Sequence, residues 1–283
     1  MSNIAFKTLQ DKVVLITGAG SGIGAACSRI FHAQGARVVL TDVNSAGLVA
    51  MQQELGDART LVRVVSATER EALDGLVNDI LSRWGRLDVV FANAGIACEP
   101  PNTMARMPES VFERIIEVNL LGVWRTVRAC LPAIRESQGH VLMTASIYAY
   151  VNGMANSPYA AAKAGVEMLG RSLRAELAGT GATAGVLYPG WVSTPIAHGA
   201  LGADPIASEL VKFAFKGSLK TPITPEVVAM ATAKGICRRS ARITVPGRWI
   251  PVSLLRGLIG PLSDWFVDRS SRIHQLVRQL EQR

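Results

Sequence analysis

Val13-Val14-Leu15-Ile16-Thr17-Gly18-Ala19-Gly20-Ser21-Gly22-Ile23-Gly24 is the stretch that decides the fold of this 283-residue chain. Four consecutive apolar residues describe a strand buried on both faces, because a strand with one wet face alternates. Glycine then recurs at every second position from Gly18 to Gly24, and a helical pattern follows to about Gln34. Strand, glycine-rich turn and helix start form the context of a phosphate-binding loop. Glycine lets the backbone turn tightly and lets a pyrophosphate reach the helix N-terminus, where unpaired N–H groups and the dipole favour an anion.

Working outward, Arg37–Asp42 reads as a second strand with Asp42 at its end. A carboxylate there accepts hydrogen bonds from ribose hydroxyls and repels a 2′-phosphate. Neither Ser21 nor Val43 supplies a cation, so the site favours NAD over NADP; an ordinary strand-end aspartate is the alternative. A helix at Ser45–Leu55 leads to a strand at 61–65, a helix at 69–84 and a strand at 87–91 that ends in Ala92-Asn93-Ala94-Gly95. Small residues there let a ligand lie against the backbone.

Residues 109–136 carry a long helical pattern in which Asn119 is polar among Val118, Leu120 and Leu121, as a buried, hydrogen-bonded structural asparagine would be. The strand His140–Thr144 delivers Ser146 to the C-terminal edge of the sheet, where ligands bind in open α/β folds. Ser157-Pro158 opens the next helix, which runs to about residue 178 and carries Tyr159 and Lys163 on one face. An ammonium beside a phenol favours the phenolate. With the Ser146 hydroxyl holding a substrate oxygen, the three make a proton-transfer site for an alcohol or a carbonyl. A Tyr–Lys pair alone also occurs on solvated helix faces, so the weight rests on its neighbours.

Six motifs occur in order: Thr17-Gly18-x-x-x-Gly22-x-Gly24, Asn93-Ala94-Gly95, Asn119, Ser146, Tyr159-x-x-x-Lys163 and Pro189-Gly190-Trp191-Val192-Ser193-Thr194. With them the chain resembles the short-chain dehydrogenases/reductases over about residues 8–250. The resemblance implies an α/β fold: a Rossmann-type, doubly wound sheet of seven parallel strands with helices on both faces. It implies that Tyr159 is the general acid/base, Ser146 orients the substrate oxygen, Lys163 lowers the phenol pKa and binds the nicotinamide ribose, and Asn119 holds a relay water. Cofactor contacts are expected from Gly18, Ser21, Gly22, Ile23, Gly24, Asp42, Ser66, Ala67, Asn93, Ala94, Gly95, Tyr159, Lys163, Pro189, Gly190, Val192 and Thr194, with Ile16 and Thr17 as less specific neighbours. Thr194 resembles the residue that positions the nicotinamide carboxamide. Two positions depart from the pattern. Ser66 stands where the family has an aspartate for the adenine amino group, and Ala92 replaces the first Asn of Asn-Asn-Ala-Gly.

Cys27, Cys98, Cys130 and Cys237 are scattered without a C-x-x-C pair, so no metal is expected and a reduced, cytoplasmic setting is. Cys98, near the cofactor loop, reads as an incidental thiol. The first dozen residues lack the apolar run of a signal peptide, and no apolar segment is long enough to span a bilayer. The catalytic domain is expected to occupy residues 1–250. Its segment 195–225 is punctuated by Pro195, Pro205, Pro222 and Pro225 and forms the substrate lid of this fold. Ile196, Leu201, Ile206, Leu210, Val211, Phe213 and Phe215 either line a hydrophobic substrate site or pack the lid's own helices. His198 is expected to face solvent.

Residues 251–283 form an amphipathic, basic extension. Of the net charge of +8, residues 234–283 carry +7. A first apolar pattern ends at Gly260-Pro261, and a second runs from Leu262 through Trp265, Phe266, Ile273, Leu276, Val277 and Leu280. We favour a tail that packs over the substrate mouth or against a sister subunit over a membrane-surface contact. The basic residues match no nucleic-acid reading module. The reading is an NAD-dependent oxidoreductase that interconverts a hydrophobic secondary alcohol and its ketone, in a homodimer or homotetramer. Its rivals are a membrane-associated dehydrogenase of sterol- or retinoid-like alcohols and a catalytically silent NAD-binding sensor.

Overall fold

Seven parallel strands form one sheet in the order β3-β2-β1-β4-β5-β6-β7, in a computed structural model that describes residues 6–198, 204–215 and 217–282. They are β1 (Val13–Thr17), β2 (Arg37–Asp42), β3 (Thr60–Val64), β4 (Val89–Ala92), β5 (His140–Thr144), β6 (Thr183–Pro189) and β7 (Arg242–Val245). The helices of the sheet layers are α1 (Gly22–Ala33), α2 (Ser45–Leu55), α3 (Arg70–Trp84), α4 (Glu109–Ile116), α5 (Gly122–Glu136) and α6 (Ser157–Glu176). The segment expected to form the lid contributes α7 (Pro195–Ala197) and α8 (Pro205–Ala214), followed by α9 (Pro225–Cys237) and the C-terminal α10 (Ile250–Leu254), α11 (Arg256–Val267) and α12 (Ser271–Glu281). Strand order reverses between β1 and β4, so the crossovers leave to opposite sides and open a crevice at the strand C-termini.

The apolar run that opened the sequence works as a two-faced strand. Val13 and Leu15 join a cluster with Val77 of α3, Val127 of α5 and Val166 of α6. Val14 and Ile16 join the opposite cluster with Phe31 of α1, Leu48 of α2 and Val228 of α9. All four are fully buried, and each such side chain contributes about 1.5–3 kcal/mol of hydrophobic stabilisation.

Two expectations change, at β4 and in the tail, and the helix distortion that the family resemblance implies at Asn119 takes definite form. β4 begins at Val89 rather than at residue 87, because the buried Asp88 carboxylate serves as a cap: it accepts the Val13 N–H at 3.0 Å and pairs with Lys12 and Arg86. The long 109–136 helix is interrupted by a π turn, Glu117–Leu121, with Asn119 at its centre. In the tail, α11 runs through Gly260-Pro261 and breaks fall at Leu255 and after Val267 instead. Gly260 has no Cβ to meet the proline ring, which removes much of the usual pre-proline restriction.

The lid and the tail are packed together. Leu210 of α8 is buried among Ile273, Leu276 and Leu280 of α12, with Ile206 beside them. Phe213 stacks on Phe266 of α11 with ring centroids 6.0 Å apart. Glu209 pairs with Arg272. Val211 and Phe215 turn to a second cluster with Trp191 and Trp249. Most of the apolar side chains described in this segment therefore hold it down, and among the described residues Ile196 is the one of the expected set on the pocket wall. Leu201 lies outside the described residues, and His198 is exposed as expected. Arg256 anchors α11 to the buried Glu167 of α6 at 2.7 Å, and Asn152 donates to Asp264 at 3.0 Å.

Candidate active site

The turn after β1 is shaped by two glycines. Gly18 has φ +68°, and a Cβ there would fall 2.9 Å from the Ala94 Cα. A Cβ on Gly24 would fall 1.9 Å from the Gly18 carbonyl oxygen, so α1 can sit on the turn only without one. Ser21 precedes α1 without capping it, and the first turn holds no acid. The N–H groups at the start of α1 are thus available to an anionic group.

At the end of β2, the Asp42 carboxylate accepts the Gly20 and Asn44 N–H groups, each at 2.9 Å. Each oxygen keeps a lone pair for a further donor. Ser66, past β3, shares a hydrogen bond with the Thr68 hydroxyl at 2.8 Å and accepts the Thr68 N–H. Its hydroxyl is therefore already engaged where the family carboxylate would be open to a ligand.

A line of hydrogen bonds crosses the strand ends. The Thr17 hydroxyl accepts the N–H groups of Asn93 and Ala94 at 3.0 Å. The Thr144 hydroxyl donates to Asn93 Oδ1 at 3.2 Å, and the buried Lys163 ammonium donates to the Thr144 carbonyl at 2.9 Å. Asn119 sits behind this line, with Gly95 between it and Lys163: a Cβ on Gly95 would lie 3.2 Å from Asn119 Oδ1 and 3.5 Å from Lys163 Nζ. The Asn119 side chain binds the main chain of Ile96 at both ends.

Tyr159 and Lys163 share the inner face of α6, with the ammonium 5.5 Å from the phenol ring centroid. Burial lowers the Lys163 pKa to about 8. Burial also pushes the Tyr159 phenol above its ordinary value, while a hydrogen bond with Ser146 pulls it down. The spacing of the pair suggests a lowered phenol; in the folded protein desolvation outweighs that effect, and Ser146 supplies the opposing pull. Tyr148 stands edge-on to Tyr159 at 5.7 Å, its own phenol pushed up by burial and bonded to Asn156.

One cavity of about 580 Å³ joins these features. Its wall includes Ser146, Tyr159, Lys163, Thr194 and every expected cofactor residue except Gly24, whose place is under the turn rather than on the wall. Ile16 and Asn119 are also off the wall, Asn119 because it reaches the site through Ile96. Ile96, Tyr148, Asn156 and Trp191, to which no motif gives a role, line the cavity beside the Tyr159 end. Trp191 stood inside the quoted Pro-Gly motif and Tyr148 two residues after Ser146, so position relative to the motifs was the available signal. Cys98 is buried off the wall, with its sulfur 3.4 Å from the Pro100 carbonyl. Among the described residues no cluster of His, Cys, Asp and Glu could hold a metal ion.

Residues 12–202 match the family model for short chain dehydrogenase, and the chain belongs to that family of oxidoreductases. Momilactone A synthase of Oryza sativa subsp. japonica is 34% identical over 210 residues, covering 72% of this chain and 75% of that protein. L-fucose dehydrogenase of Mus musculus is 34% identical over 220 residues, covering 76% of each. The solved 3-ketoacyl-(acyl-carrier-protein) reductase from Brucella melitensis, complexed with NADH, superposes with a TM-score of 0.75 at 27% identity, over 85% of this chain and 99% of that one.

Proposed function

We propose that this chain is an NAD-dependent oxidoreductase that interconverts a hydrophobic secondary alcohol and its ketone. The observation that carries the reading is the shared cavity: a phosphate-accepting turn and Asp42 at one end, and Tyr159 between Ser146 and Lys163 at the other. A nicotinamide bound there supplies the hydride acceptor for oxidation and the hydride donor for reduction. Asp42, with Val43 and Ser21 as uncharged neighbours, supports NAD over NADP. NADH in the Brucella relative supports the same choice.

In oxidation, Ser146 holds the substrate oxygen, Tyr159 takes its proton as hydride leaves the carbinol carbon, and Lys163 holds the site's positive charge near the phenol. In reduction, Tyr159 returns the proton to the forming alkoxide. Tyr148 also lines the cavity and its main-chain N–H donates to the Ser146 hydroxyl at 3.2 Å, but its phenol bonds Asn156 rather than Ser146 and has no lysine beside it, which leaves Tyr159 as the acid/base. Ile96, Trp191 and Ile196 give the substrate end an apolar wall.

We assign catalysis to residues 1–250 with the lid at 195–225, and treat 251–283 as an extension. The unpaired thiols support the cytoplasmic setting. Exposed Leu121, Trp124 and Met168, near Asn119 and on α5 and α6, support assembly into a homodimer or homotetramer.

Tyr159→Phe tests the reading. NADH binding, followed by fluorescence, should persist, while turnover across alcohols of increasing apolarity should fall by about 10²–10⁴. Near-normal turnover by the variant on a good substrate would show that another group moves the proton.

A further inference from the structure

Helix α11 carries an apolar face that, among the described residues, is covered only at Phe266, which stacks on Phe213. Leu254, Leu255, Leu258, Leu262, Trp265 and Phe266 follow one another along α10 and α11 at helical spacing. All are exposed, with Leu258 at 69%, Leu262 at 68% and Trp265 at 57%. A contiguous exposed surface of this size and composition marks an interaction site. The opposite side of the helix is bound to the body of the protein, through Arg256 on Glu167 and Asp264 on Asn152, so the apolar side is held outward.

Charge selects the occupant. Arg269 lies over the Trp265 ring at 4.6 Å, with its guanidinium at the rim of the stripe. Arg248, Arg269 and Arg278 have no carboxylate partner among the described residues, in a segment whose sequence carries most of the chain's net positive charge. A second copy of this chain would bring the same leucines and the same unpaired arginines, with only three acids against ten bases in residues 234–283 and one of those acids, Asp264, already bound by Asn152. An anionic lipid surface supplies both an apolar layer for the leucines and Trp265 and oxygen acceptors for the arginines. We propose that the α10–α11 stripe is an interfacial membrane-binding surface for anionic lipid, lying along the bilayer rather than crossing it.

The surface adjoins the lid. Phe266 stacks on Phe213 of α8, and the same lid segment carries Ile196 to the cavity wall. The geometry thus joins a lipid-facing stripe to the segment over Tyr159. The surface stands apart from the apolar-substrate reading, because its test requires no turnover.

The test is co-sedimentation of the full chain with vesicles of phosphatidylcholine mixed with phosphatidylglycerol, and with vesicles of phosphatidylcholine alone. The wild-type protein should pellet with the mixed vesicles, and raised salt should weaken the association. Leu258→Gln/Leu262→Gln/Trp265→Gln should bind at least about tenfold more weakly. Arg269→Gln should lose about fivefold on mixed vesicles and little on phosphatidylcholine alone. Circular dichroism melts of both variants should match the wild type, since every substituted side chain is exposed. A wild-type protein that stays in the supernatant with both vesicles overturns the proposal, as does a triple variant that pellets like wild type. A triple variant that instead turns a dimer into a monomer in analytical ultracentrifugation, with no vesicle binding by the wild type, assigns the stripe to a second copy.

Discussion

Asn119 holds Ile96 by both of its main-chain groups: its Oδ1 accepts the Ile96 N–H at 2.7 Å and its Nδ2 donates to the Ile96 carbonyl at 2.8 Å. One fully buried amide, presented by a π turn, thereby fixes the loop that follows β4 and brings Ile96 to the cavity. Asn119→Leu would leave two main-chain groups unpaired at a cost of about 1–3 kcal/mol each. The expected result is a melting temperature lower by roughly 5–10 °C together with weaker NADH binding. An unchanged melting curve would remove Asn119 from this structural role.

Asp42 does two things at once. Its oxygens order the turn through Gly20 and Asn44, and the residue lines the cavity with acceptor capacity to spare. Asp42→Ser should lower kcat/KM with NAD about tenfold or more, the equivalent of one lost hydrogen bond to a charged group, and raise it with NADP. Parallel kinetics with the two dinucleotides check this; an unchanged preference would locate discrimination elsewhere.

His140 opens β5, fully buried, with Nδ1 2.8 Å from the Thr183 hydroxyl. Burial, with Arg239 and Arg174 nearby, lowers its pKa to about 3 against an ordinary 6.5. Above pH 6.5 both folded and unfolded chains hold it neutral and it adds no pH dependence. Between pH 6.5 and 3 the unfolded chain takes up a proton that the folded chain refuses, so stability falls as the pH drops, by up to about 1.4 kcal/mol per unit. His140→Gln should flatten the acid limb of a denaturant-midpoint profile, whatever its effect at neutral pH. An acid limb of unchanged slope would mean that other groups govern acid sensitivity.

The sheet, the glycine turn and the Ser146–Tyr159–Lys163 set were legible because each leaves a local signature: a continuous apolar run, glycines after a strand, two polar residues one helical turn apart. The π turn was legible only through the family resemblance, which implies a distorted helix at Asn119, since an extra residue in a helical turn changes the backbone register without changing the apolar pattern around it. The aromatic wall was hidden for a different reason. Tyr148 follows β5, Trp191 follows β6, Phe215 belongs to the lid and Trp249 to the approach to α10, and only the sheet edge makes them neighbours. The lid's apolar side chains were ambiguous because Leu210 and Phe213 find their partners in α12 and α11, more than fifty positions downstream.

The hydrogen bonds that run from Thr17 through Asn93 and Thr144 to Lys163 bear on the birth of the protein as well as on its chemistry. They link the ends of three strands that are adjacent in space and far apart along the chain, so none can form before the long crossovers have closed. A nascent chain that has made only its first strand–turn–helix unit holds the phosphate turn but lacks the lysine side of the site. Dinucleotide capture across the whole cavity therefore arrives only with the assembled sheet, which makes NADH fluorescence a gauge of how many molecules in a refolding mixture have reached the native state.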